Sequence, residues 1–195
     1  PTPDIDGIGN NRNNSISGTS GSNILDGGEG ADVLIGFAGD DTYIVDDELD
    51  QIIEAGPATD FDTVEAKIDF TLAPELERLI LRNDAPDLNI NGTGNEFANT
   101  IQGNNGNNIL DGAGGGDTLI GGDGNDIYIV DSTRDVVIEA GNEGEDLVRS
   151  FVNFTLSENL ENLELEGTAN TTGTGNSLAN NITGNDGNNT LDGDG

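Results

Sequence analysis

Aspartate and asparagine recur at intervals of nine residues through the glycine-rich stretches of this chain. Residues 9–17, 18–26, 27–35 and 36–44 read GNNRNNSIS, GTSGSNILD, GGEGADVLI and GFAGDDTYI. Residues 94–129 give GNEFANTIQ, GNNGNNILD, GAGGGDTLI and GGDGNDIYI, and GNSLANNIT and GNDGNNTLD follow from Gly175. In every one of these nonapeptides, position 1 is Gly, position 6 is Asp or Asn, and position 8 is a large apolar residue. Carboxylate, amide and backbone carbonyl oxygens held at fixed places in a turn are the hard donors that calcium takes.

Composition points the same way. The 195 residues carry 38 Asp plus Glu against 6 Lys plus Arg, a formal net charge of −32, with only 32% apolar and 4% aromatic residues. Such a chain stays disordered unless its charge is neutralised, and a metal cation is the natural neutraliser. The charge argues against a phosphate-binding nucleic-acid surface and opposes docking on anionic lipid. The chain has no Cys, His, Met or Trp. Disulfides, thiol chemistry, the usual zinc and copper sites, and His-based acid–base catalysis are therefore excluded. No apolar run is long enough to span a bilayer, and the opening PTPDIDGIGN has no basic or apolar leader region.

The elements that position these oxygens follow from the nine-residue frame. Six residues make a turn and three a short strand, whose position-8 side chain points inward by strand alternation. Those inward residues are Ile16, Leu25, Leu34 and Tyr43, then Ile101, Leu110, Leu119 and Tyr128, then Ile182 and Leu191. Coils stacked about 4.8 Å apart force position-6 carboxylates into proximity, so that folding and cation binding become one event. A longer period overlies the short one. NILDGGEGADVLIGFAGDDTYIVD from Asn23 returns as NILDGAGGGDTLIGGDGNDIYIVD from Asn108, and LDG returns again at Leu191. Self-similarity of this kind marks a stacked, quasi-one-dimensional architecture. DIDGIGN from Asp4 also matches NINGTGN from Asn89, so the chain reads as an excerpt from a longer array without caps.

GGEGADVLI and GGDGNDIYI resemble the repeats of the RTX, or haemolysin-type calcium-binding, family. The resemblance implies an all-β, right-handed parallel β-roll of two nonapeptides per coil. Calcium would lie between stacked turns on each side, held by position-6 Asp side chains and by backbone carbonyls. Here those carbonyls belong to turns containing Gly27, Gly30, Gly36, Gly39, Gly112, Gly115, Gly121 and Gly124. Carrying the frame through VDDELDQII at 45–53 and VDSTRDVVI at 130–138, and then to Asp62 and Asp146, predicts four columns. These are Asn14–Asp32–Asp50, Asn23–Asp41–Asp62, Asn99–Asp117–Asp135 and Asn108–Asp126–Asp146, the Asp–Asp steps giving about four calcium sites by the family pattern. The Asn steps, including Asn180 and Asn189, depart from that pattern. Two readings stay open there: weaker, uncharged calcium ligands, or a metal-free ladder of amides bonded to one another. Asp26, Asp111 and Asp192 are read as turn-opening residues, with auxiliary ligation as the alternative.

The expected organisation is one continuous solenoid: 1–8 the tail of a preceding unit, 9–62 a first calcium-binding block, 63–93 linking coils, 94–146 a second block, 147–174 further linking coils, and 175–195 the start of a third block. TVEAKIDFTL, LERLILRN, LVRSFVNFTL and LENLELEG alternate apolar and polar residues and read as strands in wider, less regular coils, with Pro74 and Asn159 in short turns. A small separate subdomain is the alternative. Phe97 and Leu178, which match within their turns, are read as packing residues.

Functionally, the expectation is a calcium-binding structural module of a secreted bacterial protein, extracellular or at the cell surface. By resemblance, it leaves by type I secretion and folds where calcium is plentiful. A surface-layer or fibril-forming array, with copies of itself as partner, is the alternative. An accessory region of a secreted enzyme or carbohydrate-binding protein ranks last, because paired carboxylates occur everywhere in so acidic a chain and mark no catalytic pair.

Overall fold

The computed structural model describes residues 6–57, 59–84 and 88–194. Residues 1–5 of the expected preceding-unit tail lie outside them. Among the described residues there are 21 short strands and no helix, with every strand pairing parallel. At two strands per coil this is a β-solenoid of about ten turns.

Successive strands alternate between two faces. Odd-numbered strands, from Gly7–Ile8 through Ile24–Asp26 and Thr42–Val45 to Val136–Ile138, form an eight-stranded sheet. The next odd strands, from Phe154–Thr155 to Thr190–Asp192, form a three-stranded one. The even strands form a three-stranded sheet, Ser15–Ser17 to Gln51–Ile53, followed by a seven-stranded one running from Phe70–Thr71 to Asn181–Thr183. The recurrence from Ile24–Asp26 to Ile109–Asp111 spans nine strands, so equivalent strands of successive long units lie on opposite faces.

The inward residue of each nonapeptide sits where alternation places it. Leu25, Leu34, Tyr43, Ile101, Leu110, Leu119 and Tyr128 are fully buried, and the register stacks Leu25 on Tyr43 and Leu110 on Tyr128. Leu191, in the last described strand, remains exposed.

The linking segments continue the solenoid, with Val64 pairing Tyr43 below and Leu79 above. Their coils differ in length from those of the blocks. Column neighbours are 18 residues apart in the blocks, 21 from Asp41 to Asp62, and only 15 from Asp62 to Glu77. The second unit shows the same sequence of 18, 20 and 15. The lengthening thus falls at the end of each block, and the linking coil that follows is shorter than a block coil, where a wider one was expected. At the tight corner, Ile68 lies two residues before the strand residue Phe70, the place of a position-6 acid, so no oxygen column continues there. Ile90 and Gly92 stand in the same relation one coil on, where a Cβ on Gly92 would meet Ile101 Cγ2 at 2.9 Å. A buried Ile at position 6 and a Gly at position 8 exchange the usual places of polar and apolar bulk. Pro74 and Asn159 fall in turns.

Candidate calcium-binding turns

Each position-6 aspartate is held at the end of a turn, where its carboxylate reaches one coil back. Asp32 Oδ1 accepts the backbone N–H of Asn14 at 2.6 Å, and Asp50 Oδ1 accepts that of Asp32 at 2.9 Å. Asp41 Oδ1 accepts from Asn23 N–H at 2.7 Å and Asp62 Oδ1 from Asp41 N–H at 2.8 Å. The second unit repeats these contacts. Asp117 takes Asn99 N–H at 2.8 Å, Asp135 takes Asp117 N–H at 3.1 Å, Asp126 takes Asn108 N–H at 2.7 Å and Asp146 takes Asp126 N–H at 2.8 Å. The structure therefore brings together the residues of all four sequence columns.

One oxygen of each of these carboxylates is thereby engaged, but the second is not always matched. Asp32, Asp41, Asp117 and Asp126 are almost wholly inaccessible to solvent, and the Oδ2 of each is buried without a hydrogen-bond donor. A buried carboxylate oxygen without a partner is costly. One such oxygen occurs at every Asp–Asp step, where a divalent cation would satisfy it.

Burial and mutual repulsion already act on these groups. Burial, reinforced by neighbouring carboxylates, pushes Asp41 up to about 6 and Asp62 to about 7. The same causes push Asp126 up to about 7, with Asp117 and Asp146 at about 6. An ion held between them reverses the balance that raises these values.

The turns fit backbone ligation as well. Gly30, Gly39, Gly115 and Gly124, at position 4, have φ of 117°, 108°, 134° and 121°, a region that costs little only for glycine. At position 1, a Cβ on Gly27, Gly36, Gly112 or Gly121 would lie 2.0–2.4 Å from Oδ2 of the position-6 Asp in the same turn. These glycines keep the space beside the unmatched oxygen open.

The asparagines behave differently. Oδ1 of Asn14, Asn23, Asn99 and Asn108 accepts the position-2 N–H of its own turn, from Asn10, Thr19, Asn95 and Asn104, at 2.6–2.8 Å. The amide of Asn99 donates to Leu76 O at 3.0 Å, and that of Asn108 to Ile90 O at 2.6 Å. These side chains clamp turns to the backbone and do not form the amide-to-amide ladder considered at position 6. An Asn column does run up the outer surface at position 5. Asn89 Oδ1 accepts Asn107 N–H, Asn107 Oδ1 accepts Asn125 N–H, and Asn125 Oδ1 accepts Glu145 N–H, at 2.8–2.9 Å. Asp26 and Asp111 each accept an N–H two residues on, opening their turns. Phe97 and Leu178, read from sequence as packing residues, are instead 57% and 41% exposed. Their matching positions reflect turn geometry, since each donates its N–H to the Asn two residues before it.

Four acids join the columns that the nonapeptide frame had not singled out. Glu77 Oε2 accepts Asp62 N–H at 2.8 Å and Glu161 Oε2 accepts Asp146 N–H at 3.0 Å, so the columns ending in Asp62 and Asp146 each gain a further step. Both lie two residues before an inward leucine, Leu79 or Leu163, which is the position-6 relation and was available to be read. Glu54 and Glu139 stand where the next nonapeptide would begin with Gly. They gather with Asp41 and Asp62, and with Asp126 and Asp146, so that one oxygen of each lies within 4.8 Å of the others.

The sequence model described as an RTX calcium-binding nonapeptide repeat, in four copies, matches residues 8–48, 93–128 and 174–195, just over half of the chain. The chain belongs to that family. No curated protein and no solved structure matches it.

Proposed function

From this membership of the RTX calcium-binding repeat family, we propose that the chain is a structural module of a secreted bacterial protein, folding on calcium outside the cell. The supporting observation is the set of unmatched, buried Oδ2 atoms of Asp32, Asp41, Asp117 and Asp126, one at each Asp–Asp step. Asp50, Asp62, Asp135 and Asp146 complete the four steps. Calcium supplies the charge neutralisation and the oxygen coordination that these atoms lack. The four asparagines act in this reading as turn clamps, because their oxygens are already engaged by N–H donors. We assign the module no catalytic role.

Extracellular modules bind calcium at roughly 10⁻⁴ to 10⁻³ M. A chain of this charge therefore stays unfolded at cytosolic calcium and folds once exported. Far-UV circular dichroism during a calcium titration, repeated with magnesium and after chelation, tests the coupling. A calcium-specific gain of β signal is the expected result. A β signal left unchanged by exhaustive chelation at neutral pH would overturn calcium-driven folding. Light scattering in the same titration tests the alternative of a self-assembling array, which calls for particle growth as calcium is added.

A further inference from the structure

The four Asp–Asp steps are not equivalent. Among the described residues, no third carboxylate gathers closely with Asp32 and Asp50 or with Asp117 and Asp135. At Asp41–Asp62 and Asp126–Asp146 a third arrives from the following coil, Glu54 in one case and Glu139 in the other. Both glutamates replace the position-1 glycine, and both accept a hydrogen bond from the hydroxyl of a fully buried tyrosine, Tyr43 or Tyr128.

These clusters have the properties of a built cation site. Asp41 Oδ2, Asp126 Oδ2 and Glu139 Oε2 are buried and unmatched by any donor, in residues 1%, 1% and 7% exposed. The unmatched Asp oxygen and the tyrosine-bonded Glu oxygen converge on the α-carbon of a position-1 glycine. A Cβ on Gly36 would lie 2.4 Å from Asp41 Oδ2 and 2.7 Å from Glu54 Oε2, and one on Gly121 would lie 2.3 Å from Asp126 Oδ2 and 2.1 Å from Glu139 Oε1. Like charges drawn together this closely in a buried place are unfavourable unless a cation or a proton lies among them.

Accepting that the Asp–Asp steps bind calcium, we propose that Glu54 and Glu139 create a second, tighter class of calcium site, with three carboxylates instead of two. Calcium affinity rises with ligand charge and rigidity, so these two sites fill first. The two members differ in access. Glu54 is half-buried, its Oε1 occupied by Ala55 N–H and Gly56 N–H at 2.7 Å, and it lines a cleft of about 510 Å³ with Asp62, Glu77 and Phe97. Glu139 is buried and keeps Oε2 unmatched. The first site exchanges its ion with solvent more readily, and the second holds it longer.

The molecule carries its own reporter, since Tyr43 and Tyr128 are its only tyrosines and there is no Trp. Calorimetric calcium titration of the whole chain, followed in parallel by tyrosine near-UV absorption, tests the assignment. The tyrosine signal is expected to complete within the first two equivalents. The double variant Glu54→Gln/Glu139→Gln is expected to weaken that pair of sites by roughly tenfold or more, leaving the other pair in place. Asp32→Asn/Asp117→Asn is the complementary variant: it should keep the tyrosine-linked events and lose the weaker ones, and it gives the answer if the glutamine variant does not fold. A single uniform class in the wild type, or a tyrosine change spread over all equivalents, would overturn the two-class assignment. Absence of any calcium binding would instead overturn the calcium reading on which it rests.

Discussion

The nonapeptide blocks and the linking coils solve the same stacking problem by different means. In the blocks, a coil contributes about one buried apolar side chain per face, and the turns carry rows of buried carboxylates whose second oxygens lack donors. In the linking coils the core thickens: Leu72, Leu76, Leu79 and Leu81 are buried in the first, and Leu156, Leu160, Leu163 and Leu165 in the second. Basic residues also find acids there. Lys67 meets Asp46 at 3.0 Å, Arg82 meets Glu65 at 2.7 Å and Arg149 meets Glu164 at 3.1 Å. Hydrophobic burial and ion pairs give the linking coils cohesion of their own, whereas under the proposed function the blocks depend on a cation supplied from outside.

The largest effect expected from this contrast is that of calcium removal. Chelation at neutral pH should abolish amide protection in the blocks, for example in strands Val33–Ile35 and Thr118–Ile120, before that in Arg78–Leu81 and Asn162–Leu165. Hydrogen exchange read by mass spectrometry checks this, and simultaneous loss everywhere would break the comparison. Next in size, Leu79→Ala or Leu163→Ala should cost about 2–5 kcal/mol by leaving a cavity. The loss should persist in saturating calcium, as seen by denaturant unfolding.

Proton binding sharpens the same contrast. Asp62 and Asp126 lie at about 7 and Glu139 at about 9, raised above their unfolded values by burial first and like charges second. Groups raised in this way bind protons more tightly in the folded chain than in the unfolded one. The calcium-free fold is therefore stabilised as pH falls from about 9 towards the ordinary Asp value of 3.8, and penalised as pH rises through the same window. Calcium affinity moves the opposite way, weakening as protons occupy the ligands. Circular dichroism of the calcium-free chain at pH 5 and pH 8.5 should show more β structure at the lower pH. The smallest effect is that of Arg82→Gln, which removes a half-exposed ion pair and should cost less than about 1 kcal/mol in thermal or denaturant unfolding.

Much of this was legible in the sequence because nine-residue spacing and strand alternation together fix which side chain stacks on which. The columns through Asp32, Asp41, Asp117 and Asp126 follow from counting alone. Glu77 and Glu161 follow the same count, two residues before an inward leucine, although no glycine-rich turn announces them. Glu54 and Glu139 were hidden for a different reason. They occupy a glycine position, and their meeting with Tyr43 and Tyr128 joins residues 11 apart across a coil. The tight corner at Ile68 was also hidden, since the short connection from Val64 to Phe70 offsets the long one before Asp62 and leaves the overall repeat intact.

The odd number of strands per long unit has a consequence for how such units present themselves. The three-carboxylate cluster of the first unit precedes strands of one face and that of the second precedes strands of the other. Consecutive units are thus related by a half-turn combined with a translation of four and a half coils, about 22 Å at a coil spacing of about 4.8 Å. A binding partner, a flat surface or a neighbouring rod that touches one side meets an equivalent patch only at every second unit, about 43 Å apart. The molecule is two-sided, with the period seen from either side twice the period written in its sequence.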